Sequence, residues 1–530
     1  MIKGDICKMK KISQKTKKTF ASVFKSILCI LLAAVIVCSC ILIFGLPINP
    51  SKQGWCIDNN GYDINSPEVE RLISVTPSEV QIAIGDMEYY SFIHYGMNTF
   101  TCKEWGDGNE DPAQFCPETV DTDQWVKVLK ESGSKGIILT AKHHDGFCLW
   151  PSAYTEHDIE NSPYQNGKGD ICRQMAESCK KYDMKLGFYL SPWDMHEETY
   201  ATDAYNDYFT NQLTELCTNY GEIFSFWFDG ARGEDVGDWQ YDFDRYYAVI
   251  RELQPNAAIA LTGPDVRWIG NEAGIVRKSE WSVIPSGSAS IEAVMEQSQH
   301  SEEDAKRLQK LKDNNSVDNG SRELVEFYPD LIWKQGEADV SIHRGWFYTD
   351  EGNAAKMRSA AELEKIYYRT VGGNALLLMN VPPTKDGVIA DKDIELLQDF
   401  KARIDKKFAE KLSPVVEAVG EDSAVPVDFS ADGSYKLSDN ENIIRLTFDE
   451  KQKISTIVLS EDVTQSQRVE EFKIYAKTAA GYLKIYDGTV IGSKKICLIF
   501  PLLAKSAKEF DIVITQSRSN PVIENVEAYA

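Results

Sequence analysis

The sequence predicts an α/β protein in which a (β/α)8-like barrel is followed by a C-terminal antiparallel β-sandwich. Eight short apolar runs recur between about residues 90 and 380, helical segments separate them, and only strand-like runs follow residue 410. Apolar strands that alternate with helices are typical of a parallel sheet buried on both faces. Eight such units favour a closed barrel. An open doubly wound sheet is the alternative, although no GxGxxG motif follows any of the runs.

The eight predicted barrel strands are short runs rich in aliphatic and aromatic residues. They are YSFIHYG (90–96), GIILTAK (136–142), KLGFYLS (185–191), IFSFWFD (223–229), AAIALTG (257–263), KSEWSVI (278–284), ADVSIHR (338–344) and NALLLMN (374–380). Between the first two runs, residues 121–133 read as an amphipathic helix, in which Trp125, Val126 and Leu129 share a face. Gly133 suits the end of that helix.

Changes in composition divide the chain into four segments. They are a lysine-rich leader (1–46), a linker (47–75), the barrel (76–405) and the sandwich (410–530). The last segment contains runs such as ISTIVLSED, EEFKIYAKT and EFDIVITQS, separated by turn residues. It carries no cluster of catalytic residue types, so we expect it to pack against the barrel or to bind sugar. The polar stretch 296–324 predicts a surface excursion from one barrel loop.

The N-terminal leader has the pattern of a membrane-targeting segment. Residues 1–26 carry eight Lys and one Asp, and the next 20 residues, 27–46, are uncharged. About 20 apolar residues suffice to span a bilayer, and a lysine-rich flank keeps the N-terminus on the cytoplasmic side. We therefore expect a membrane anchor or a long signal peptide, with the anchor favoured because the apolar run is long for a signal peptide. The rest of the chain is expected outside the cytoplasm, membrane-anchored or secreted.

The overall charge excludes nucleic acid as a partner. The formal net charge is −24, and nucleic-acid binding needs a basic surface. The chain is instead rich in aromatic residues, which include 11 Trp and make up 11% of the sequence. Aromatic side chains of this kind stack on sugars or fill clefts.

Polar residues follow the predicted strands at the points where a barrel has its active site, the C-terminal strand ends. Asp229 ends an apolar run, His143 and His144 follow another, and Arg267 and Glu272 follow a third. No HxH, HExxH or GxSxG motif is present, so we expect neither a metal nor a serine nucleophile. A carboxylate pair between aromatic walls is the equipment of a glycosidase.

Seven motifs in order carry a family resemblance. FIHYGMNTFTCKEWGDG, TAKHHDGFCLWPSAYTEHDI, YLSPWD, FWFDG, GPDVRWIGNEAG, EADVSIHRGWFY and VGGNALLLMNVPPTKDGVI together resemble an α-L-fucosidase of glycoside hydrolase family 29, over about residues 75–405. The resemblance implies a retaining exo-hydrolase that needs no metal or other cofactor and acts on fucosylated glycans. The GNEAG form is similar to the subgroup that cleaves α-1,3 and α-1,4 linkages. The chain departs from the family pattern at His343 and Arg344.

The resemblance also implies roles for individual residues. Asp229 falls on the nucleophile and Glu272 on the acid/base. The residues expected to bind substrate are His94, Trp105, His143, His144, Tyr189, Trp227, Arg267 and Trp346. Glu280 competes with Glu272 for the acid role. Two other readings stay open, a non-hydrolysing carbohydrate-binding protein on the same fold and a metal-dependent hydrolase.

Overall fold

The computed structural model describes residues 63, 66–233, 236–298, 318–349 and 357–530. The predicted leader, 1–46, and most of the linker lie outside these residues, as does most of the polar stretch 296–324. In the part of the chain that is described, no helix is both long enough and apolar enough to cross a membrane. The membrane-targeting role of residues 27–46 therefore stays a prediction.

Eight parallel strands close into a barrel, which confirms the predicted fold class. The first ten strands of the chain are β1 (Tyr89–Ile93), β2 (Gly136–Lys142), β3 (Lys185–Leu190), β4 (Ile223–Phe228), β5 (Ala258–Leu261), β6 (Val266–Trp268), β7 (Val283–Pro285), β8 (Leu331–Trp333), β9 (Gln335–Ser341) and β10 (Ala375–Asn380). The barrel order is β1-β2-β3-β4-β5-β6-β9-β10, and β10 pairs with β1 to close it. Strands β7 and β8 form a separate antiparallel pair.

The prediction of 278–284 as a barrel strand is wrong. The sixth barrel strand is β6, which has three residues and pairs with β5 and β9. The stretch 278–284 is apolar for another reason, because Trp281 and Ile284 pack on Val490 of the C-terminal region. The guanidinium of Arg518 also lies 3.6 Å from the centroid of the Trp281 ring. Contact with the second domain thus explains the burial that suggested a barrel strand.

Helices pack around the barrel strands, and the last described helix belongs to the C-terminal region instead. The described α-helices, in chain order, are α1 (Pro67–Ile73), α2 (Glu79–Gly85), α3 (Met97–Thr101), α4 (Thr122–Glu131), α5 (Ile171–Tyr182), α6 (Asp203–Asn219), α7 (Phe243–Leu253), α8 (Ile291–Ser298), α9 (Arg322–Val325), α10 (Ala360–Thr370), α11 (Asp391–Lys407) and α12 (Phe429–Asp432). In α4, Trp125, Val126 and Leu129 are buried as the spacing predicted. Asp121 caps the start of this helix, because its carboxylate accepts from the N–H of Gln124.

Gly133 follows the C-terminal end of α4 in a backbone conformation that favours glycine. Its φ of +94° lies in the left-handed region. A side chain there would also meet Lys401 of α11. The predicted role of Gly133 at the end of this helix is therefore confirmed.

Two antiparallel sheets form the C-terminal region. Their strands are β11 (Lys411–Leu412), β12 (Val415–Gly420), β13 (Ala424–Pro426), β14 (Tyr435–Lys436), β15 (Glu441–Lys453), β16 (Thr456–Glu461), β17 (Val469–Thr478), β18 (Gly481–Gly488), β19 (Lys495–Leu498), β20 (Ser506–Ser517) and β21 (Val522–Tyr529). One sheet has the order β13-β12-β15-β20-β17-β18, and the other contains β11-β21-β16-β19 with β14 beside β21. Alternating inward residues such as Ile444, Leu446 and Phe448 form a core between the sheets.

Candidate active site

A pocket opens at the C-terminal ends of the barrel strands. Nine of the ten predicted site residues line it, namely His94, Trp105, His143, His144, Tyr189, Trp227, Asp229, Glu272 and Trp346. The remaining lining residues are Phe92, Ala231, Leu261, Trp268 and Asp339. The pocket thus combines three carboxyl groups, three imidazoles and a largely aromatic wall.

Strand ends bring these side chains together from distant parts of the sequence. His94 is the first residue after β1, and Asp229 is the first after β4. Adjacent residues within a strand point to opposite faces of the sheet. His143 and His144 come after the end of β2, so this rule does not separate their side chains. Their ring centroids lie 4.2 Å apart, and both rings reach the pocket.

Asp229 is held by donors to both of its carboxylate oxygens. The hydroxyl of Tyr189 donates to Oδ2 over 3.0 Å, and the backbone N–H of Ala231 donates to Oδ1 over 2.9 Å. The Nε2 atom of His144 lies 3.9 Å from Oδ2. Hydrogen bonds to both oxygens offset the cost of placing a carboxylate among aromatic rings. The arrangement suits an oriented anion at the pocket wall.

The two imidazoles of His94 and His143 present opposite hydrogen-bonding atoms to the pocket. The amide nitrogen of Asn380 donates to Ser341 and to the carbonyl of Trp346, so its oxygen must accept from Nδ1 of His94 over 2.9 Å. Neutral His94 then carries a lone pair on Nε2. Burial lowers the pKa of His94 to about 3, so the neutral ring is the form present at neutral pH.

His143 has the complementary tautomer. The amide nitrogen of Asn98 donates to Asp145 over 2.8 Å and lies 3.4 Å from Nδ1 of His143, which places the acceptor at Nδ1. The proton of neutral His143 is then on Nε2. Burial, together with the neighbouring His144 and His94, lowers the pKa of His143 well below its usual value. One imidazole can therefore accept from a sugar hydroxyl while the other donates to one.

His144 is oriented from behind by Ser191. The Ser191 hydroxyl donates to the carbonyl of Trp193 over 2.6 Å, so its oxygen accepts from Nδ1 of His144 over 2.7 Å. Burial lowers the pKa of His144, while the charges of Asp229 and Asp194 oppose that shift. The ring is thereby fixed with Nε2 toward Asp229.

Glu337 lies beneath the pocket and supports its floor. The indole N–H of Trp227 donates to Oε1 of Glu337 over 2.8 Å, and the hydroxyl of Tyr90 donates to its other oxygen. Burial raises the pKa of Glu337 to about 7. The Trp227 ring stacks on Tyr189, with 5.4 Å between centroids and an angle of 22°. Glu337 thus anchors the Trp227 ring. That ring in turn packs on Tyr189, which donates to Asp229.

Asp339 and Glu272 form a second acidic group at the pocket wall. Asp339 is buried in β9, and Glu272 is half-buried in the loop after β6. The indole N–H of Trp268 donates to Oδ1 of Asp339 over 2.7 Å. Burial raises the pKa of Asp339 well above its usual value, and the charge of Glu272 raises it further.

Arg267 and Glu280 lie away from the pocket, which corrects the expectation that Arg267 contacts substrate. Arg267 precedes Trp268 on β6, so the two side chains point to opposite faces, and Trp268 takes the pocket side. The Arg267 guanidinium bonds the carboxylate of Glu280, which Arg277 also approaches at 3.4 Å. Burial raises the pKa of Glu280, but the two arginines outweigh it and lower the pKa overall.

Sequence reasoning missed Asp339 and Glu337 as parts of the site. A readable signal for the two acids was their spacing, because residues 337 and 339 of a strand face the same way and acidic residues rarely enter a strand buried on both faces.

Comparison with known proteins adds independent findings. The family model for alpha-L-fucosidase matches residues 80–407. The chain is 34% identical to alpha-L-fucosidase 1 of Arabidopsis thaliana over 469 residues, which covers 85% of this chain and 86% of the plant protein. It is 32% identical to the crystal structure of SpGH29, with a TM-score of 0.75 and coverage of 86% of this chain and 98% of that one.

A second solved structure is similar over nearly its whole length. It is the Ruminococcus gnavus GH29 fucosidase E1_10125 in complex with fucose, at 28% identity and a TM-score of 0.72. The alignment covers 90% of this chain and 98% of that chain.

Proposed function

Because the chain belongs to the α-L-fucosidase family, glycoside hydrolase family 29, we propose that it is a retaining exo-α-L-fucosidase that acts through a covalent fucosyl-Asp229 intermediate. The chain is a glycoside hydrolase on family grounds, so the reading as a non-hydrolysing binding protein is set aside. The retaining course, the intermediate and the residue roles are our proposal.

One observation carries the proposed mechanism. Asp229 stands at the end of β4 with each oxygen fixed by a donor, in the same pocket as Glu272. A nucleophile must be ionised, oriented and shielded from water, and the hydroxyl of Tyr189 and the stacked Trp227 supply these conditions. An acid must instead keep a proton, which a half-buried carboxyl beside another carboxyl does more readily.

In the first step, Asp229 attacks the anomeric carbon of fucose. The bond between that carbon and the glycosidic oxygen breaks as the bond to the carboxylate oxygen forms. Glu272 gives its proton to the departing oxygen, so the leaving group departs as an alcohol. The result is an ester between Asp229 and the sugar.

In the second step, water replaces the leaving group. Glu272, now ionised, takes a proton from water as the oxygen attacks the anomeric carbon and the ester bond to Asp229 breaks. Two inversions at the same carbon give overall retention. The enzyme returns with Asp229 ionised and Glu272 protonated.

The imidazoles give the pocket its preference for a hydroxylated ring. His94 offers a lone pair, and His143 offers an N–H. A sugar hydroxyl is both donor and acceptor, so the pair can bind adjacent hydroxyls of fucose. Trp346, whose ring centroid lies 5.0 Å from that of His94, provides an apolar wall for the sugar.

We further propose preference for α-1,3 and α-1,4 linkages in branched glycans, and a location outside the cytoplasm. The GNEAG form around Glu272 supports the first proposal, and the lysine-rich leader with its uncharged run 27–46 supports the second. Cell fractionation tests the location, and recovery of the full-length protein wholly in the cytosol would contradict it.

Proton NMR of the released sugar tests the reaction course. We expect α-fucose as the first product, before mutarotation, from fucosides of α-1,3- or α-1,4-branched oligosaccharides. The same substrates compared with an α-1,2-linked disaccharide test the linkage. First release of the β-anomer would contradict retention, and faster cleavage of the α-1,2 substrate would contradict the linkage.

A further inference from the structure

Strand β9 directs two acidic side chains toward the barrel interior. Glu337 and Asp339 are two residues apart on the strand, so they point to the same face, and both are buried. Glu337 has a supporting task, because it accepts from Trp227 and Tyr90. Asp339 lines the pocket itself, beside Glu272, and the two-step mechanism gives it no role.

The Asp339 carboxyl has a fixed orientation. Its Oδ1 atom accepts the indole N–H of Trp268 over 2.7 Å. An indole nitrogen is a donor only, so this oxygen serves as the acceptor. A proton carried by Asp339 then belongs on Oδ2. The bond also stabilises Asp339 as an anion, so that either protonation state of this side chain can be held in the same position.

Two carboxyl groups in one sheltered pocket cannot both ionise at low cost. Burial is the first cause that disfavours ionised Asp339, and Glu272 is the neighbouring charge that acts on it most strongly. Glu337 acts in the same direction to a smaller degree. Groups that interact in this way lose their protons as a pair rather than as separate residues.

We propose that Asp339 shares one proton with Glu272 and thereby acts as a positioning residue for the acid/base. The proposal rests on the proposed function, in which Glu272 protonates the leaving oxygen. The pair gives up its proton through Glu272 in the first step and regains one from water in the second. The pair therefore keeps a proton available at a pH where a lone glutamate would have lost it.

Other titratable groups face the same pocket and must be kept apart from this pair. They are Asp229, Tyr189, His94, His143 and His144 at the pocket wall, with Glu337 and Tyr90 below it. Burial lowers the pKa of all three histidines and raises that of both tyrosines, so these five side chains are neutral near pH 7. Substitution of Asp339 alone separates its effect from those of Asp229 and Glu337.

The test is the pH dependence of kcat/KM for Asp339→Asn. Asparagine keeps an oxygen that can accept from Trp268 but removes the shared proton and the charge. With a fucosyl oligosaccharide, whose leaving group needs the acid, we expect the alkaline limb to move to lower pH by about one unit or more. With an activated aryl fucoside, whose leaving group needs no proton, the shift should be much smaller.

A matched control is Glu461→Gln. Glu461 is also a buried carboxyl, with a pKa raised by burial to about 7, but it lies in the sandwich and accepts from backbone N–H groups there. This variant should keep the wild-type pH profile. An unchanged alkaline limb in folded Asp339→Asn, or an equal shift in Glu461→Gln, would overturn the proposal.

Infrared titration of the carboxyl groups gives a readout that does not depend on turnover. In Glu272→Gln, the protonated-carboxyl signal of Asp339 should titrate at lower pH than the pair does in wild type, because coupling between two sites is reciprocal. This comparison decides the question if Asp339→Asn fails to fold. Absence of fucoside hydrolysis by wild type would instead refute the proposed function, while the infrared shift would still decide whether the proton is shared.

Discussion

The hydroxyl of Tyr189 donates a 3.0 Å hydrogen bond to Oδ2 of Asp229, and so joins two neighbouring strands at the rim of the barrel. Tyr189 belongs to β3, whereas Asp229 follows β4, and residues 189 and 227 are register partners in the pairing of these strands. The pairing of these two strands therefore brings the donor close to the carboxylate.

Tyr189→Phe should slow the enzyme without unfolding it. A hydrogen bond to a charged group contributes about 1.5–3 kcal/mol, which corresponds to a loss of about 10- to 160-fold in kcat/KM. Steady-state kinetics with an aryl fucoside measure the loss. Tyr89→Phe is the matched control, because its hydroxyl bonds Ser132 outside the pocket. Equal losses in the two variants would contradict a specific role of the bond to Asp229.

Asp229→Ala should abolish the hydrolysis of every fucoside, because the fucosyl ester cannot form. Azide should then react only by direct attack on an activated α-fucoside, which gives the β-fucosyl azide. NMR of the product identifies the anomer. Formation of the α-azide by this variant would contradict the assignment of Asp229 as nucleophile.

Glu272→Ala should show a strong dependence on the leaving group. Substrates with good leaving groups should still form the intermediate, but water should attack it slowly without a base. Azide should restore the rate and give the retained α-fucosyl azide, since a small anion needs no base.

Glu280→Ala separates the two candidates for the acid. Glu280 is bonded to Arg267 and lies outside the pocket lining, so its loss should reduce stability and leave the dependence on leaving group unchanged. The assignment of Glu272 fails if Glu280→Ala shows azide rescue while Glu272→Ala remains active.

Glu337→Gln should change how stability depends on pH. Burial raises the pKa of Glu337 from 4.5 to about 7, so the folded protein keeps this proton to a higher pH than the unfolded chain does. The free energy of unfolding of the wild type therefore falls by about 1.4 kcal/mol per pH unit, through this group, as the pH rises across that interval. Glutamine removes that slope.

Denaturant unfolding of wild type and Glu337→Gln, measured at several pH values between 4.5 and 7, gives the difference in slope. The stability of Glu337→Gln relative to that of the wild type should increase as the pH rises. Parallel pH curves for the two proteins would show that Glu337 is not protonated in the folded state.

Much of the fold could be predicted from the sequence because barrel strands buried on both faces are continuous apolar runs. Seven of the eight predicted strands coincide with barrel strands. The remaining prediction, 278–284, is wrong for two reasons. The actual sixth barrel strand, β6, is only three residues long, and the region around Trp281 is apolar because it contacts the sandwich. A buried stretch has the same apolar sequence pattern whether the barrel or the sandwich covers it.

The candidate site shows a similar division. Residues just after strand ends, such as Asp229 and His144, were found because a barrel gathers its strand ends at one face. The prediction for Arg267 is wrong because the sequence does not show where β6 begins. Without that position, the side chains that face the pocket cannot be told from those that face away. Asp339 was missed because its strand was placed too late, at 338–344 instead of Gln335–Ser341, which hid the paired acids.

Trapping of the covalent intermediate tests the central claim most directly. A 2-deoxy-2-fluoro-fucosyl fluoride forms the ester quickly and releases it slowly, because fluorine destabilises both oxocarbenium-like transition states while the fluoride remains a good leaving group. Peptide mass spectrometry of the inactivated protein should place one fluorofucosyl group on Asp229, in the peptide that contains FWFDG. A label on Glu272, Asp339 or any other residue, or unlabelled protein that still turns over fucosides, would contradict a retaining mechanism through Asp229.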